Sequence, residues 1–227
     1  QSQYMLGKMF NNGDGTKRDF KKSVKWYNKA AKQGNDKALN KLGEIYLEQH
    51  KPDLAFKMFS DASEKGNIHA YYNLGTIANE NKDYKEAFRL FKFAAEKGFI
   101  NAIVNLGTMY LKGRYVDINF EEGLKWYSKA AELNDSESQH IIGNIYYNGI
   151  NVKQDYQKAL YWFELESEHE NSRSLYKLGT MYLNGQGVEI NNELGLYYLK
   201  RAAENKDTIA YHHLGEIYLE GKIIKKD

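Results

Sequence analysis

The sequence predicts an all-α solenoid of stacked helix pairs, because one short motif recurs along the whole chain between two helical patterns. The motif is typified by Leu106-Gly107-Thr108-Met109-Tyr110. Its glycines stand at positions 7, 43, 75, 107, 143, 179 and 215, so successive copies are 36, 32, 32, 36, 36 and 36 residues apart. A period of this length is typical of repeats that stack into an array.

The first helix of each repeat, here called the A helix, carries the glycine. A small residue stands five positions before the glycine, and large apolar residues flank it at helical spacing. At 100° per residue these positions fall on one arc of the helix. Glycine inside a helix costs about 1 kcal/mol relative to alanine, so we expect a second helix to approach closely at each glycine.

The second helix, the B helix, supplies that partner. Its pattern is a small residue, two large apolar residues and two small ones, as in Ser23, Trp26, Tyr27, Ala30 and Ala31. The pattern recurs in copies that begin at Ala55, Ala87, Gly123, Ala159 and Gly195. Left-handed helix ends are expected at Gly34, Gly66 and Gly98. Expected N-caps are Asp19, Asp53, Asp83, Asn119 and Asp155, with Glu86 and Glu122 completing capping boxes.

We expect one continuous array over residues 1–227 rather than separate domains. The repeats are predicted at 1–35, 36–67, 68–99, 100–135, 136–171, 172–207 and an incomplete 208–227. The shorter second and third repeats are expected to have shorter A-to-B connections. The array starts close to Gln1, and Asp227 is placed to cap a further helix, so the chain is expected to be a fragment of a longer protein.

Composition excludes several classes of function. The 32 basic and 30 acidic residues give a formal charge of +2, too weak a field to favour nucleic acid as the partner. There are no cysteines, which excludes disulfides, thiolate metal sites and a cysteine nucleophile. No apolar run is long enough for a transmembrane helix, so no membrane insertion is expected in this segment. The compartment stays open.

Signatures of catalysis are missing from the sequence. The six histidines include no pair at i and i+4 that could bind a metal on one helix, and no Gly-x-Ser-x-Gly motif is present. We therefore expect no enzyme activity, no cofactor and no metal site in this chain.

The combined pattern Ala-x4-Gly-x2-Tyr-x2-Gly and Asp-x3-Ala-x2-Trp-x3-Ala-Ala-x2-Gly resembles the Sel-one-like repeat (SLR), a relative of the tetratricopeptide repeat. The resemblance covers residues 2–227 and implies a right-handed α/α superhelical solenoid of about six and a half helix-turn-helix repeats. It also implies a non-catalytic adaptor or scaffold that binds a protein or peptide, with a bacterial factor acting on host proteins as a narrower version. The chain departs from the pattern at Ala78, where Tyr is expected, and at Glu166, where the other copies have Ala.

The resemblance places a concave binding groove on the outward side of the A helices. The residues on that side vary between repeats, which suggests that the fold does not dictate them. The predicted groove is centred on Tyr72, Asn73, Thr76, Asn105, Thr108, His140, Asn144, Tyr176 and Lys177. Asn offers donors and an acceptor to a peptide backbone, and Tyr provides contact area at low entropy cost. A plain solvated face is the alternative.

Two other functions stay open at this point. The solenoid could target or regulate a catalytic domain outside this chain. It could also self-associate through the end of the last A helix, at Ile217, Leu219 and Ile223, although a homodimer is not favoured.

Three local features have competing interpretations. Lysines on the first B helix, Lys21, Lys25, Lys29 and Lys32, extended by Lys17, Arg18 and Lys22, are expected to form a solvated outer face, with an acidic-partner site as the alternative. Glu166 is expected to be partly exposed or paired with Arg173 or another cation, because unpaired burial of a carboxylate is costly. The space beside Ala78 is expected to be filled by Phe88 and Phe93, with a small apolar pocket as the alternative.

Overall fold

A computed structural model describes residues 2–220, within which the chain forms thirteen α-helices and no β-strand. The A helices are α1 (Ser2–Asn12), α3 (Asp36–Glu48), α5 (Ile68–Glu80), α7 (Ile100–Lys112), α9 (Ser136–Asn148), α11 (Ser172–Asn184) and α13 (Thr208–Glu220). The B helices are α2 (Phe20–Lys32), α4 (Pro52–Ser63), α6 (Tyr84–Glu96), α8 (Phe120–Glu132), α10 (Tyr156–Ser167) and α12 (Asn192–Glu204). The predicted all-α repeat fold is confirmed.

The helices group into two compact units, the first ending at Ile118 and the second beginning at Asn119. In the first unit each helix from α1 to α7 packs against the next one in sequence. In the second unit the same holds from α8 to α13. Packing between consecutive helices is what defines a solenoid, in which each repeat is stabilised mainly by its neighbours.

The glycine of the A helix lies against a large side chain of the B helix that follows it. A Cβ at Gly43 would lie 2.5 Å from Cε1 of Phe59, and a Cβ at Gly75 would lie 2.7 Å from Cε1 of Phe91. The same close approach occurs between the pairs Gly7 and Tyr27, Gly143 and Phe163, and Gly179 and Leu199. The predicted helix contact is therefore confirmed at these glycines. Gly215 differs, since no described atom outside its own helix lies within 4 Å of such a Cβ.

The remaining small residues let each B helix also pack on the next A helix. Ala55, Phe59 and Ala62 of α4 form one buried cluster with Ala70 and Leu74 of α5. The small side chains bring the helix backbones together, and the aromatic ring fills the space between them. The hydrophobic core is thus a row of such clusters along each unit.

Four of the five predicted N-caps are observed, and the fifth is wrong. Asp19, Asp83 and Asp155 each accept a hydrogen bond from the backbone N–H three residues later, as does Asn119. Asp53 is not an N-cap, because α4 already begins at Pro52, whose fixed φ angle suits the first helical position.

The two capping boxes are only half formed. The side chains of Glu86 and Glu122 accept hydrogen bonds from Arg89 and Lys125, respectively, rather than from the cap backbone. A salt bridge one turn along the helix has therefore replaced the reciprocal cap bond.

The turns after the B helices all adopt the left-handed conformation at one residue. Gly34, Gly66 and Gly98 have φ angles of 80°, 82° and 82°, as predicted for left-handed helix ends. In the last three turns Asn134, Glu170 and Lys206 occupy the same position, with φ angles of 64°, 55° and 66°. These three turns keep the geometry without glycine, which favours positive φ far more readily than other residues do.

The A-to-B connections differ in length as expected. They are short in the second and third repeats, at residues 49–51 and 81–83, and longer in the others, at 13–19, 113–119, 149–155 and 185–191. At the last A helix, Ile217 is buried with 7% of its surface exposed, whereas Leu219 is 89% exposed. Ile223 and Asp227 lie outside the described residues.

Candidate functional site

The nine residues predicted for the groove divide between the two compact units. Five of them, Tyr72, Asn73, Thr76, Asn105 and Thr108, lie on α5 and α7 of the first unit. The other four, His140, Asn144, Tyr176 and Lys177, lie on α9 and α11 of the second. All nine are half-buried rather than freely solvated. The face predicted as outward is therefore partly packed.

In the first unit, Asn73 belongs to a chain of polar contacts across two A helices. Its Nδ2 donates to Oδ1 of Asn40 at 3.0 Å, and Nδ2 of Asn40 donates to Oε1 of Glu44 at 2.7 Å. Lys41 completes the chain by donating to the other carboxylate oxygen of Glu44 at 2.5 Å. Asn40 is buried, so these bonds fix the position of the Asn73 amide.

Asn105 occupies the position of Asn73 one repeat later. Its side chain is half-buried and forms no hydrogen bond with the part of the chain that the structure describes. The Asn105 amide therefore has unused donors and an unused acceptor on the α7 surface.

The two threonines bond to their own helices. Thr76 Oγ1 donates to the carbonyl of Tyr72 at 3.1 Å, and Thr108 Oγ1 donates to that of Val104 at 3.0 Å. The Tyr72 ring lies between the rings of Phe91 and Phe99, with centroid distances of 5.9 and 5.0 Å. These side chains shape the surface and leave Asn73 and Asn105 as polar groups with unused hydrogen-bonding capacity.

In the second unit, His140 is paired with the carboxylate that the sequence singled out. His140 Nδ1 lies 2.9 Å from Oε2 of Glu166, and the Ser174 hydroxyl donates to the same oxygen. Glu166 is fully buried, so partial exposure was the wrong expectation and pairing was the right one. The partner is His140 and not Arg173. Oε1 of Glu166 has no hydrogen-bond partner among the described residues.

The other predicted residues of the second unit also have internal contacts. Asn144 Nδ2 donates to the carbonyl of His140 at 3.1 Å, and Lys177 Nζ lies 4.3 Å from the ring centroid of Tyr147. Burial lowers the pKa of Lys177, because the charged ammonium is disfavoured away from water. Burial, reinforced by the carboxylate of Asp207, raises the pKa of Tyr176. The surface of this unit is aromatic with one partly desolvated cation.

A pocket of about 530 Å³ opens beside Ala78 in the first unit. Its lining includes Phe56, Ser60, Leu74, Ala78, Arg89 and Leu90. Phe88 and Phe93 do not fill it, contrary to the expectation. The Phe93 ring packs on Tyr71 at 4.1 Å between centroids, and the Phe88 ring packs edge-on against Tyr110 at 5.8 Å. The alternative expectation, a pocket beside Ala78, is therefore correct. The expected pocket was apolar, whereas this one has charged residues on its rim.

The basic residues of the first B helix form an exposed face, as expected. Lys29 lies over the ring of Trp26, and Lys22 pairs with Asp19.

Within residues 2–220 no cluster of His, Asp and Glu could hold a metal ion. None of the helices in that range has the length and apolar character needed to cross a membrane.

Solved structures with similar folds include two bacterial repeat proteins. The chain superposes on c5321, a protective antigen with an SLR fold from uropathogenic Escherichia coli, with a TM-score of 0.78 and 30% identity. A Sel1 repeat protein from Oxalobacter formigenes gives a TM-score of 0.83 and 26% identity. The matches cover 97% and 95% of this chain but only 49% and 64% of those proteins. A comparison with curated proteins found no significant match.

The family model for the Sel1 repeat matches the sequence seven times. The matches cover residues 1–35, 36–67, 68–99, 100–135, 136–165, 172–207 and 208–227. They follow the glycine motif and the helix pairs described above. The chain therefore belongs to the Sel1 repeat family.

Proposed function

We propose that this chain is a non-catalytic scaffold that holds an extended segment of a partner protein against its A helices. Sel1 repeat proteins generally act as non-catalytic scaffolds for protein–protein interaction. The observation that carries the proposal for this chain is the placement of Asn73 and Asn105 at the same position of neighbouring repeats, each half-buried with hydrogen-bonding capacity left over.

The chemistry of the asparagine amide supports a peptide backbone as the ligand. An amide has two donors and one acceptor, which match the carbonyl and N–H groups of an extended chain. Asn73 uses one donor on Asn40, which holds its amide in place, and Asn105 uses none within the described chain. Half-buried polar groups gain from a partner that satisfies them, since most polar groups of a protein interior are hydrogen-bonded.

The neighbouring side chains provide contact area rather than additional recognition. The hydroxyls of Thr76 and Thr108 already donate to their own helices, so we assign these two residues a packing role. Tyr72 is held by two aromatic rings and offers a rigid surface with little entropy to lose. A preformed surface binds without much ordering on its own side.

We propose a second contact surface on the second unit, considered by itself. It comprises His140, Asn144, Tyr176 and Lys177. A carboxylate of a partner placed near Lys177 would offset the desolvation of its ammonium group. This surface therefore favours an acidic segment, whereas the asparagines of the first unit favour an uncharged backbone.

The experiment is affinity capture followed by a binding measurement on the purified partner. The bait is the 227-residue chain, compared with an Asn73→Ala, Asn105→Ala variant and with Asn101→Ala as the matched control, since Asn101 is an exposed asparagine on the same α7. Two lost hydrogen bonds of about 0.5–1.5 kcal/mol each should weaken binding by roughly fivefold to a hundredfold. The control should bind as wild type.

Equal binding by the double variant would refute the asparagine surface. Capture that depends instead on Tyr176 and Lys177 would move the contact to the second unit. Use of a bacterial lysate beside a host-cell lysate tests the narrower form of the proposal, a bacterial factor acting on host proteins.

A further inference from the structure

The pocket beside Ala78 lies where other repeats place an aromatic ring. Ala78 follows the glycine of its A helix by three positions. The residues at this position in other A helices are aromatic, namely Phe10, Tyr46, Tyr110, Tyr146, Tyr182 and Tyr218. The third repeat therefore lacks a side chain that its own architecture is built to receive.

The sixth repeat shows what such a ring contacts. The Tyr182 ring stacks on Tyr198 with a centroid distance of 5.7 Å and an interplanar angle of 14°. Its hydroxyl donates to Oε1 of Glu164 at 3.0 Å. The tyrosine thus lies between the preceding B helix, α10, and the B helix of its own repeat, α12.

The same repeat positions line the pocket at Ala78. Ser60 stands five residues after Ala55, as Glu164 stands five after Ala159, and Leu90 stands three residues after Ala87, as Tyr198 stands three after Gly195. Ser60 and Leu90 both line the pocket. The pocket is therefore the vacant ring position. Leu90 provides an apolar wall, and the Ser60 hydroxyl stands where Glu164 accepts a hydrogen bond from the tyrosine in the sixth repeat.

The pocket is large enough for a side chain from another molecule. Its volume of about 530 Å³ falls within the range of roughly 300–1,000 Å³ usual for ligand pockets. The nearby rings of Phe88 and Phe93 are engaged with Tyr110 and Tyr71, so they are not available to close it.

The rim of the pocket carries an excess of negative charge. Three carboxylates, Glu64, Asp83 and Glu86, and one guanidinium, Arg89, line it. Arg89 donates two hydrogen bonds to Glu86, so its charge is already matched. The excess of two formal negative charges favours a ligand with cationic groups beside the inserted ring.

We propose that this pocket takes the aromatic side chain of a partner segment, Tyr or Phe, flanked by Lys or Arg. The inference rests on the proposed role in protein binding, but not on the asparagine surface that the capture experiment tests. An aromatic anchor in a desolvated pocket, framed by charges on the rim, is the arrangement of a binding hot spot.

The test uses three short peptides and NMR spectroscopy of the whole chain. The peptides are acetyl-Lys-Tyr-Lys-amide, acetyl-Lys-Ala-Lys-amide and acetyl-Glu-Tyr-Glu-amide. We expect the first to bind with a Kd on the order of 1 mM and to shift the methyl signals of Ile77, Ala78 and Leu90. The other two peptides should bind at least tenfold more weakly. Equal binding of the Tyr and Ala peptides would overturn the proposal.

Two variants locate the site. Ala78→Tyr restores the ring of the other repeats and should abolish the shifts while the chain stays folded, as checked by circular dichroism; Ala78→Leu serves if the tyrosine variant does not fold. Glu64→Lys should weaken the Lys-Tyr-Lys peptide and strengthen the Glu-Tyr-Glu peptide. If a folded Ala78→Tyr or Ala78→Leu variant binds the Lys-Tyr-Lys peptide as well as wild type does, the pocket is not the binding site and the proposal is refuted. If capture depends on Asn73 and Asn105 while the peptides fail, only the pocket proposal falls.

Discussion

Nδ1 of His140 lies 2.9 Å from Oε2 of Glu166, a carboxylate without exposed surface at a position where the other B helices carry alanine. The pair joins α9 to α10, and the Ser174 hydroxyl extends it to α11. A buried carboxylate is tolerated only when its partners compensate for the lost hydration. The stability of this repeat junction therefore depends on a histidine that the sequence analysis placed in a binding groove.

The first prediction concerns this pair. His140→Ala should destabilise the chain by on the order of 3 kcal/mol, because it leaves a buried carboxylate without its main partner. His140→Val combined with Glu166→Ala should stay close to wild type, since Val104 and Ala130 occupy these positions in the fourth repeat. Urea unfolding followed by circular dichroism measures both. A double variant as unstable as His140→Ala would contradict the assignment.

The second prediction contrasts two glycines at the same repeat position. Gly43→Ala should destabilise the chain by about 2 kcal/mol, because its Cβ would lie 2.5 Å from Phe59 in a packed core. The Cβ of Gly215→Ala would meet no described atom outside its own helix within 4 Å, so the change should instead stabilise the 227-residue chain by up to about 1 kcal/mol through helix propensity. Chemical denaturation of the two variants provides the comparison. A similar loss in both would mean that packing against the B helix is not what selects glycine.

The third prediction concerns the left-handed turn position. Lys206→Gly should stabilise the chain by about 1 kcal/mol, since lysine at a φ angle of 66° is strained relative to glycine. Gly66→Lys should have the opposite effect, because Gly66 has a φ angle of 82° and an added Cβ would have open space around it, so only the backbone angle opposes the lysine. The two changes in the urea midpoint should have opposite signs. Equal signs would show that contacts of the lysine, not its backbone, decide the outcome.

The fourth prediction concerns pH. Burial, together with the hydrogen bond to Glu164, raises the pKa of Tyr182 to about 12. The folded state therefore holds this proton more tightly than the unfolded state, whose tyrosines titrate near 10. The stability that Tyr182 contributes is fully present below pH 10 and is lost as the pH rises from about 10 to 12.

The ¹³Cζ signal of labelled Tyr182 measures this pKa directly. Tyr182→Phe serves as the control, because it removes the ionising hydroxyl and keeps the ring on Tyr198. The variant should lose less stability than wild type over that pH interval. A Tyr182 signal that titrates near pH 10 would contradict the predicted shift.

The repeat architecture could be predicted from the sequence because its determinants are local and recur. One contact between an A helix and the next B helix is specified by three residues: a glycine, the small residue five positions before it and an aromatic residue of the B helix. This combination recurs several times along the chain. The predicted cap of α4 at Asp53 is wrong, because an aspartate close to a helix start does not by itself determine the first helical residue. Pro52 fixes the start of the helix two residues earlier than a cap at Asp53 would, and Lys51 becomes the cap without a side-chain bond.

The candidate site could be predicted only in part. The sequence identified the varying face of the A helices, but not that Asn73 would bond to Asn40, 33 residues away, or that His140 would bond to Glu166, 26 residues away. Such contacts depend on how neighbouring helices align, and the sequence of one repeat does not determine that alignment. At Ala78 the sequence left two outcomes open, because the direction of the Phe88 and Phe93 rings is set by Tyr110 and Tyr71.

The helix contact that contains Glu166 differs from the contacts where alanine occupies the same position in how it would respond to the gain or loss of whole repeats during evolution. A contact between helices that is built on glycine, alanine and an aromatic ring can be replaced by the same contact of another repeat. An extra copy of 36 residues could therefore be inserted there without changing the helix surfaces that pack together. Glu166 needs His140 on one side and Ser174 on the other, and a recombination point between α9 and α11 would separate them. The fifth repeat, α9 and α10, is thereby tied to the A helix of the sixth repeat, α11, so that recombination within this block would break contacts that the other repeats do not have.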